Sequence, residues 1–231
     1  MPYQGYFFDF DHTIFDSDAS EAMAFTEAME SSGLATRGDA AAVDQLFATY
    51  ALINRQLWNE VEAGQRNPNE VRELRFVRLV DELGLDVDPT AIAAAFTAGM
   101  QEYGELYPDA LEVLAALRER GPVALVTNAI SQIQRRRIER VGLAAHLDAV
   151  VISSEIGVAK PAPAIFEHTF ALLPQLDPAT TLMVGDSLTS DMAGGFAAGL
   201  ATCWYNPAGK TDDAAAPVDH EVQRLDQLLD L

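Results

Sequence analysis

Short, continuous apolar runs alternate with longer segments of helical periodicity through most of the chain. Runs without polar alternation are typical of parallel strands that are buried on both faces. They cover 5–11, 122–128, 149–153, 181–186 and 201–205. The helical segments between them cover about 109–120, 131–141, 163–173 and 189–198. This alternation predicts an α/β fold with a doubly wound, mainly parallel, five-stranded Rossmann-like sheet.

One long stretch, 17–103, breaks this rhythm. It contains periodic segments at 20–33, 39–63, 69–84 and 89–103, and it has no strand pattern. We therefore expect an all-helical domain inserted after the first strand, with 1–16 and 104–231 forming the α/β core. After the last predicted strand, we expect a polar loop at 206–217 and then a final helix that ends at Leu231.

The charge balance is strongly acidic, with 35 acidic and 15 basic residues among 231 and a formal net charge of −20. A surface of this kind repels nucleic-acid polymers and anionic membranes, so we expect a small molecule as the partner. The chain shows no secretory leader and no apolar stretch of membrane-spanning length, which predicts a cytoplasmic protein. The oligomeric state stays open.

Few of the basic residues lie in a sequence pattern that indicates a binding or catalytic site. Lys160 and Lys210 are the two lysines of the chain. Arg135, Arg136, Arg137 and Arg140 fall on one predicted helix. Because consecutive residues on a helix fan around its axis, we expect these arginines to form a solvated face.

Side chains with catalytic chemistry collect at the carboxyl ends of the predicted strands. Asp9 and Asp11 are two positions apart, so both point to the same side where the first strand ends. The other strand ends are followed by Thr127 and Asn128, by Lys160 in a loop, and by Asp186 and Asp191. Open parallel sheets bind ligands at this edge, and carboxylates suit hard cations such as Mg²⁺. The pattern predicts a site for a divalent cation and a phosphoryl group.

Four motifs in this order resemble the haloacid dehalogenase-like superfamily of phosphotransferases and phosphatases. They are Asp-x-Asp-x-Thr at 9–13, the strand-end Thr127, Lys160-Pro161, and Gly-Asp-Ser-x-x-x-Asp at 185–191. The resemblance implies Asp9 as the nucleophile that forms an aspartyl-phosphate and Asp11 as the general acid and base. It also implies that Thr127 and Lys160 hold and neutralise the phosphoryl group.

The same resemblance implies a magnesium cofactor. Its expected ligands are the carboxylates of Asp9 and Asp186 and the main-chain carbonyl of Asp11. Asp191 is not expected to bind the metal directly, but to orient Lys160 or a metal-bound water. Thr13 and Asn128 are further candidates for binding the substrate.

The second aspartate and the helical insert narrow the reaction. The dehalogenases of the superfamily lack the equivalent of Asp11, so this chain resembles the phosphatases. The insert, with Ile-Asn-Arg-Gln-Leu-Trp at 53–58, resembles the cap of bacterial pyrimidine 5′-nucleotidases. Asn54 or Arg55 is expected to contact the base or the sugar, and Trp58 either stacks on a base or belongs to the core of the insert.

The leading hypothesis is a Mg²⁺-dependent phosphatase that hydrolyses pyrimidine nucleoside 5′-monophosphates through an aspartyl-phosphate. One alternative is a capped phosphatase or mutase that acts on a sugar phosphate. A different class of alternative is a catalytically silent module that binds Mg²⁺ or phosphate.

Overall fold

A computed structural model describes residues 3–211 and 217–231. Its sheet has six strands, β1 (Gly5–Phe8), β2 (Val123–Thr127), β3 (Ala149–Ile152), β4 (Thr181–Gly185), β5 (Ala201–Tyr205) and β6 (His220–Val222). The strand order is β3-β2-β1-β4-β5-β6, and every neighbouring pair is parallel. The α/β doubly wound fold is thus confirmed, with β1 at the centre of the sheet.

The strand count of five is corrected to six. The additional strand, β6, pairs with β5 through the registers Cys203↔His220 and Tyr205↔Val222. It is three residues long and lies at the edge of the sheet, so it needs no long apolar run. A 3₁₀ helix at Leu225–Asp230 replaces the predicted final helix. Part of the predicted loop at 206–217 lies outside the described residues.

Adjacent residues of a strand pack in two separate hydrophobic clusters, one on each face of the sheet, because side chains alternate between the faces. Phe8 of β1 packs in a cluster with Leu125, Val184 and the helix α5 (Ala110–Arg118). Phe7 packs on the other face, in a cluster with Met183 and the helix α8 (Pro163–Leu172). Helices cover both faces, and the carboxyl ends of the central strands stay free for a site.

The insert consists of four helices, α1 (Ser17–Ser31), α2 (Ala40–Glu62), α3 (Pro68–Leu83) and α4 (Pro89–Glu102). An aromatic cluster of Phe25, Tyr50, Phe76 and Phe96 joins them, with ring centroids 4.7–5.5 Å apart. Such pairs contribute about 0.5–1.5 kcal/mol each beyond their buried area. The hydrophobic cluster of the insert also includes Ile130 and Ile133 of the α/β core, so the two parts pack together.

The two connections between the helices and the sheet run side by side. Asp16 donates its backbone N–H to the carbonyl of Glu105 at 2.9 Å, and Tyr107 donates to the carbonyl of Ile14 at 2.9 Å. Phe15 and Leu106 form an antiparallel bridge between these segments. The boundaries at 16 and 104 stay a prediction, and this paired connection is the segment at which they fall.

Three further helices, α6 (Ser131–Arg140), α7 (Ser153–Ile156) and α9 (Ala193–Ala197), complete the layers. Short 3₁₀ turns occur at Leu143–His146 and Pro178–Thr180, and a π-helical turn covers Leu188–Met192. Across residues 3–211 and 217–231, none of the helices has both the length and the apolar character that a bilayer crossing requires.

Candidate active site

Parallel register brings the chemistry-bearing residues to one cavity. Phe8, the last residue of β1, pairs with Leu125 on one side and Val184 on the other, so the carboxyl ends of the central strands lie at the same edge of the sheet. Beyond these ends lies a cavity of about 280 Å³. The sheet contributes Asp9, Asp11, Asn128, Lys160, Asp186 and Asp191 to its lining, and the insert contributes Glu21, Asn54, Trp58 and Arg75. Most of the predicted site residues therefore share one space.

Lys160 is the cation at the base of this cavity. It is 1% exposed, and its Nζ lies 2.5 Å from Asp9 Oδ1 and 2.7 Å from Asp191 Oδ1. Burial alone lowers the pKa of Lys160, but the carboxylates of Asp191 and Asp9 outweigh it, so the net shift is upward. Lys160 is therefore a charged ammonium that bridges two aspartates.

Asn128 fixes the backbone of Lys160. Its Nδ2 donates to the carbonyl of Lys160 at 2.9 Å, and its Oδ1 accepts from the backbone N–H of Lys160 at 2.8 Å. Both polar atoms of the Asn128 side chain thus form hydrogen bonds with the main chain of Lys160. The structure places Asn128 at the cavity as a residue that positions Lys160.

Asp191 is held against the end of β4. Its Oδ2 accepts from the backbone N–H of Ser187 at 3.0 Å, and its Oδ1 faces Lys160. A Cβ at Gly185 would lie only 2.2 Å from Asp191 Oδ2, so the glycine of the motif makes room for this carboxylate. Asp191 thus contacts Lys160 directly, and its role in orienting the lysine stays a prediction.

Three carboxylates carry more negative charge than Lys160 neutralises. Oxygen atoms of Asp9, Asp186 and Asp191 lie within 4.8 Å of one another. Burial and the charge of Asp191 raise the pKa of Asp186 to about 6. Burial also raises the pKa of Asp9 well above its usual range, although Lys160 opposes this shift. Because both oxygens of Asp191 are engaged, Asp9 and Asp186 are the residues that fit a hard divalent cation.

Asp11 turns toward three hydrogen-bond donors. Its Oδ1 accepts from the hydroxyl of Ser17 and, at 3.0 Å, from Arg137 Nη1. Its Oδ2 accepts from Gln134 Nε2 at 2.9 Å. These hydrogen bonds fix the position of the Asp11 side chain at the edge of the cavity.

Arg137 corrects the expectation of a solvated arginine face. Arg135 and Arg136 are exposed as expected, but Arg137 is only 2% exposed. Its guanidinium also donates to the carbonyl of Met100 at 2.6 Å and to Ser20 Oγ at 2.5 Å. It therefore links Asp11 to both α1 and α4 of the insert.

Sequence reasoning missed Arg137 and Gln134, although a signal was present. Ile133, Gln134, Arg137 and Ile138 are the buried residues of α6, and this spacing is that of one helix face. Polar residues on such a face need buried partners. Asp11 is that partner here.

The two candidate threonines lie just below the cavity. Thr127 is fully buried, and its hydroxyl accepts from Gln134 Nε2 at 3.1 Å. Thr13 is also fully buried, and no described residue forms a hydrogen bond with its hydroxyl. Neither residue lines the cavity. Their contact with a phosphoryl group stays a prediction.

The candidates on the insert face the site from the opposite side. Trp58 is half-buried, lines the cavity, and packs on the hydrophobic clusters of the insert. Asn54 donates to Glu21 Oε1 at 3.0 Å and accepts from Arg75 Nη1 at 3.5 Å. Both readings of Trp58, base stacking and core packing, stay compatible with this position.

The family follows from a match that covers most of the chain. The model of the haloacid dehalogenase-like hydrolase family matches residues 3–199. The chain belongs to the haloacid dehalogenase-like hydrolases. As a member of this family it is an enzyme, and the prediction of a phosphoric monoester hydrolase agrees with the nucleotidases and phosphatases among its relatives.

Three bacterial proteins are similar to this chain over nearly their full length. The HAD-hydrolase YfnB of Bacillus subtilis is 31% identical, over 98% of this chain and 94% of its own. A crystal structure of YfnB bound to magnesium superposes with a TM-score of 0.86 and covers 100% of this chain and 98% of that one.

The other two are named for a substrate class. The pyrimidine 5′-nucleotidase PynA of Streptococcus pneumoniae is 32% identical, over 100% of this chain and 95% of its own. The pyrimidine 5′-nucleotidase YjjG of Escherichia coli is 32% identical, over 97% of this chain and 98% of its own. The resemblance inferred from the motifs is thereby confirmed.

Proposed function

We propose that this protein is a Mg²⁺-dependent phosphatase that hydrolyses pyrimidine nucleoside 5′-monophosphates through an aspartyl-phosphate on Asp9. The observation that carries the proposal is the buried ion pair of Asp9 with Lys160, 2.5 Å apart, in a cavity that Asp11 also lines. A carboxylate nucleophile and a proton-transfer group thus face the same space. Phosphoryl transfer depends mainly on such positioning and on charge neutralisation.

In the first step, a carboxylate oxygen of Asp9 attacks phosphorus, and the bond from phosphorus to the ester oxygen breaks. Asp11, in its protonated form, gives its proton to the departing alkoxide. Lys160 neutralises negative charge on Asp9 and on the phosphoryl oxygens. The products of this step are an aspartyl-phosphate and a free alcohol.

In the second step, water attacks the phosphorus of the aspartyl-phosphate, and the acyl-phosphate bond breaks. Asp11 is now a carboxylate and takes the proton of the attacking water. Hydrogen bonds from Ser17, Gln134 and Arg137 hold the Asp11 side chain in place for this proton transfer. Inorganic phosphate leaves, and Asp9 and the proton on Asp11 are restored.

A magnesium ion held by Asp9, Asp186 and the main-chain carbonyl of Asp11 would supply charge neutralisation for the phosphoryl oxygens. The surplus of carboxylates at this place supports the assignment. The magnesium bound to YfnB, which superposes over the full chain, supports it as well.

The insert supports the choice of a nucleotide. It covers the cavity with Trp58, an aromatic side chain suited to stacking on a base, next to polar groups on α1–α3. Two relatives with nearly full coverage, PynA and YjjG, are pyrimidine 5′-nucleotidases. The structure of YfnB is described as revealing interdomain movement, which supports an insert that opens and closes over the substrate.

Phosphate release from a panel of nucleotides and sugar phosphates tests the proposal. With Mg²⁺, we expect UMP, dUMP or TMP to give the highest kcat/KM, and Asp9→Asn to abolish turnover on every substrate. A preference for sugar phosphates would replace the nucleotidase with a sugar-phosphate phosphatase. Release from no ester, with phosphate binding retained, would identify a silent module.

A further inference from the structure

A hydrogen-bonded cluster on the insert has no part in the chemistry described above. It comprises Glu21 of α1, Tyr50 and Asn54 of α2, and Arg75 of α3. All but Tyr50 line the active-site cavity, to which the insert contributes these residues and the α/β core contributes Asp9 and Lys160. The cluster therefore faces the position of the group that leaves when the phosphate ester is cleaved.

Two hydrogen bonds hold one oxygen of Glu21. The hydroxyl of Tyr50 donates to Oε1 at 2.7 Å, and Asn54 Nδ2 donates to the same atom at 3.0 Å. Burial raises the pKa of Tyr50 well above its usual range, so this residue is a neutral donor. Among residues 3–211 and 217–231, no group donates to the other oxygen, Oε2. Glu21 is thus a fixed carboxylate with one free acceptor.

Arg75 hydrogen-bonds to both residues that donate to Glu21. It is 3% exposed, and its Nη1 reaches the hydroxyl of Tyr50 at 3.3 Å and Asn54 Oδ1 at 3.5 Å. In the described part of the chain, no carboxylate pairs with Arg75 directly, and its Nε and Nη2 have no hydrogen-bond partner. A buried cation needs a counter-charge, and Glu21, reached through Tyr50 and Asn54, is the acidic group of this network.

Arg75 is rigid in this position. Its guanidinium carbon lies 4.4 Å from the ring centroid of Phe96 and 5.4 Å from that of Phe76. Stacking on two aromatic rings of the core fixes the guanidinium plane. A fixed cation and two bridging donors pre-organise the Glu21 carboxylate before a substrate enters.

We propose that Glu21 determines which leaving group the enzyme accepts, by receiving a hydrogen bond from an N–H or O–H of an uncharged leaving group and repelling one with a second negative charge. Arg75, Tyr50 and Asn54 position the carboxylate. The inference rests on the proposed phosphatase function and deepens it. Uracil N3–H and the ribose hydroxyls are hydrogen-bond donors that a uridine leaving group offers.

The test compares Glu21→Gln with the wild-type enzyme on two substrates, UMP and p-nitrophenyl phosphate, whose leaving group has no donor. We expect the ratio of kcat/KM values, UMP over p-nitrophenyl phosphate, to fall about tenfold to a hundredfold, as for the loss of a hydrogen bond to a charged group. Glu27→Gln is the matched control, because Glu27 lies exposed on α1 and also accepts from a tyrosine hydroxyl, that of Tyr103 at 2.8 Å. The control should keep the wild-type ratio.

Substrate analogues identify the donor and test the repulsion. N3-methyl-UMP removes the base N–H, and the 2′- and 3′-deoxy nucleotides remove the ribose hydroxyls in turn. One of these analogues should lose about tenfold or more with the wild-type enzyme, and Glu21→Gln should erase that loss. Orotidine 5′-monophosphate, a UMP with an added carboxylate, should be a poor substrate that Glu21→Gln improves relative to UMP.

Tyr50→Phe gives a second, milder variant, because it removes one of the two bridges and keeps the ring in the aromatic cluster. It should lower the same ratio by several-fold. An unchanged ratio in Glu21→Gln, or an equal loss on both substrates, would overturn the inference and leave the phosphatase standing. A wild-type protein that cleaves no ester with Mg²⁺ would overturn the proposed function and the inference with it.

Discussion

At the scale of single residues, the site is a balance of buried charges. Lys160 pairs with Asp9 and Asp191, with Asp186 beside these two carboxylates, while Asp11 faces the guanidinium of Arg137. Buried charges cost free energy unless they are paired and hydrogen-bonded. Each pairing here also places a reactive atom, so the charges have both a structural and a chemical reason.

Arg137→Met tests both the chemical and the structural role of a buried pair. It leaves Asp11 without its charged donor and removes the links to Met100 and Ser20. We expect kcat to fall about 100-fold, at the lower end of what a positioned acid or base contributes. Loss of a buried charge partner should also cost about 3 kcal/mol of stability, measured by urea unfolding.

Arg136→Met is the control for this prediction. Arg136 neighbours Arg137 on α6, but its side chain is 46% exposed and pairs with Glu102 and Glu139 at the surface. Exposed ion pairs contribute little, so kcat should stay at the wild-type value. Equal effects of the two substitutions would show that Arg137 has no specific role in holding Asp11.

At the scale of elements, helix packing in the insert sets the walls of the cavity. The helices α1 and α4 approach closely where Gly99 meets Ala24. The same two helices carry Ser20 and Met100, which bind Arg137 of the core. Their spacing therefore bears on the position of Arg137 and, through it, on Asp11.

Gly99→Ala tests this close approach. A Cβ at Gly99 would lie 2.8 Å from the Cα of Ala24, which is backbone and cannot turn aside. Helix propensity alone predicts that alanine stabilises α4 by about 1 kcal/mol. We expect the clash to prevail and to destabilise the protein by about 1–3 kcal/mol in chemical denaturation. A stabilised variant would show that α1 and α4 can separate at no cost.

At the scale of the whole molecule, the fold must overcome the mutual repulsion of the acidic residues in the site. The chain has a formal net charge of −20, and the acidic site adds local repulsion to this global excess. A bound cation stabilises such a protein by mass action, because the unfolded chain does not bind it. Stability should therefore depend on Mg²⁺ and on the protonation of Asp186.

Asp186→Asn should raise the Tm of the metal-free protein at neutral pH. The pKa of Asp186 is raised to about 6 in the folded state, from a usual 3.8, so the wild-type protein loses stability as pH rises between these values. The gain from asparagine should thus be largest above about pH 6 and should vanish below about pH 4. Calorimetric scans in EDTA across this range measure it.

Magnesium should reverse the order of the Tm values of the wild-type protein and the Asp186→Asn variant. Adding MgCl₂ should raise the Tm of the wild type above that in NaCl of equal ionic strength, and it should leave the Asp186→Asn variant unchanged. An equal rise in both proteins would mean that the ion acts by general screening and that Asp186 is no ligand.

The sequence by itself determined five of the six strands, their alternation with helices and the helical insert, because apolar runs and helical periodicity are local properties. It also determined which residues follow the strand ends, namely Asp9, Asp11, Lys160, Asp186 and Asp191. The family relation rests on these motifs and on a match across residues 3–199. The short edge strand β6 carried too few apolar residues to be found in this way.

Only the tertiary structure decided which charges meet. Arg137 and Asp11 are 126 positions apart, and the residues that surround Glu21 come from two other helices, α2 and α3. Such partners depend on packing angles and helix rotation, which no local pattern encodes. The sequence thus determined the reacting groups, and the fold decided what positions them, because electrostatic partners are selected by distance in space.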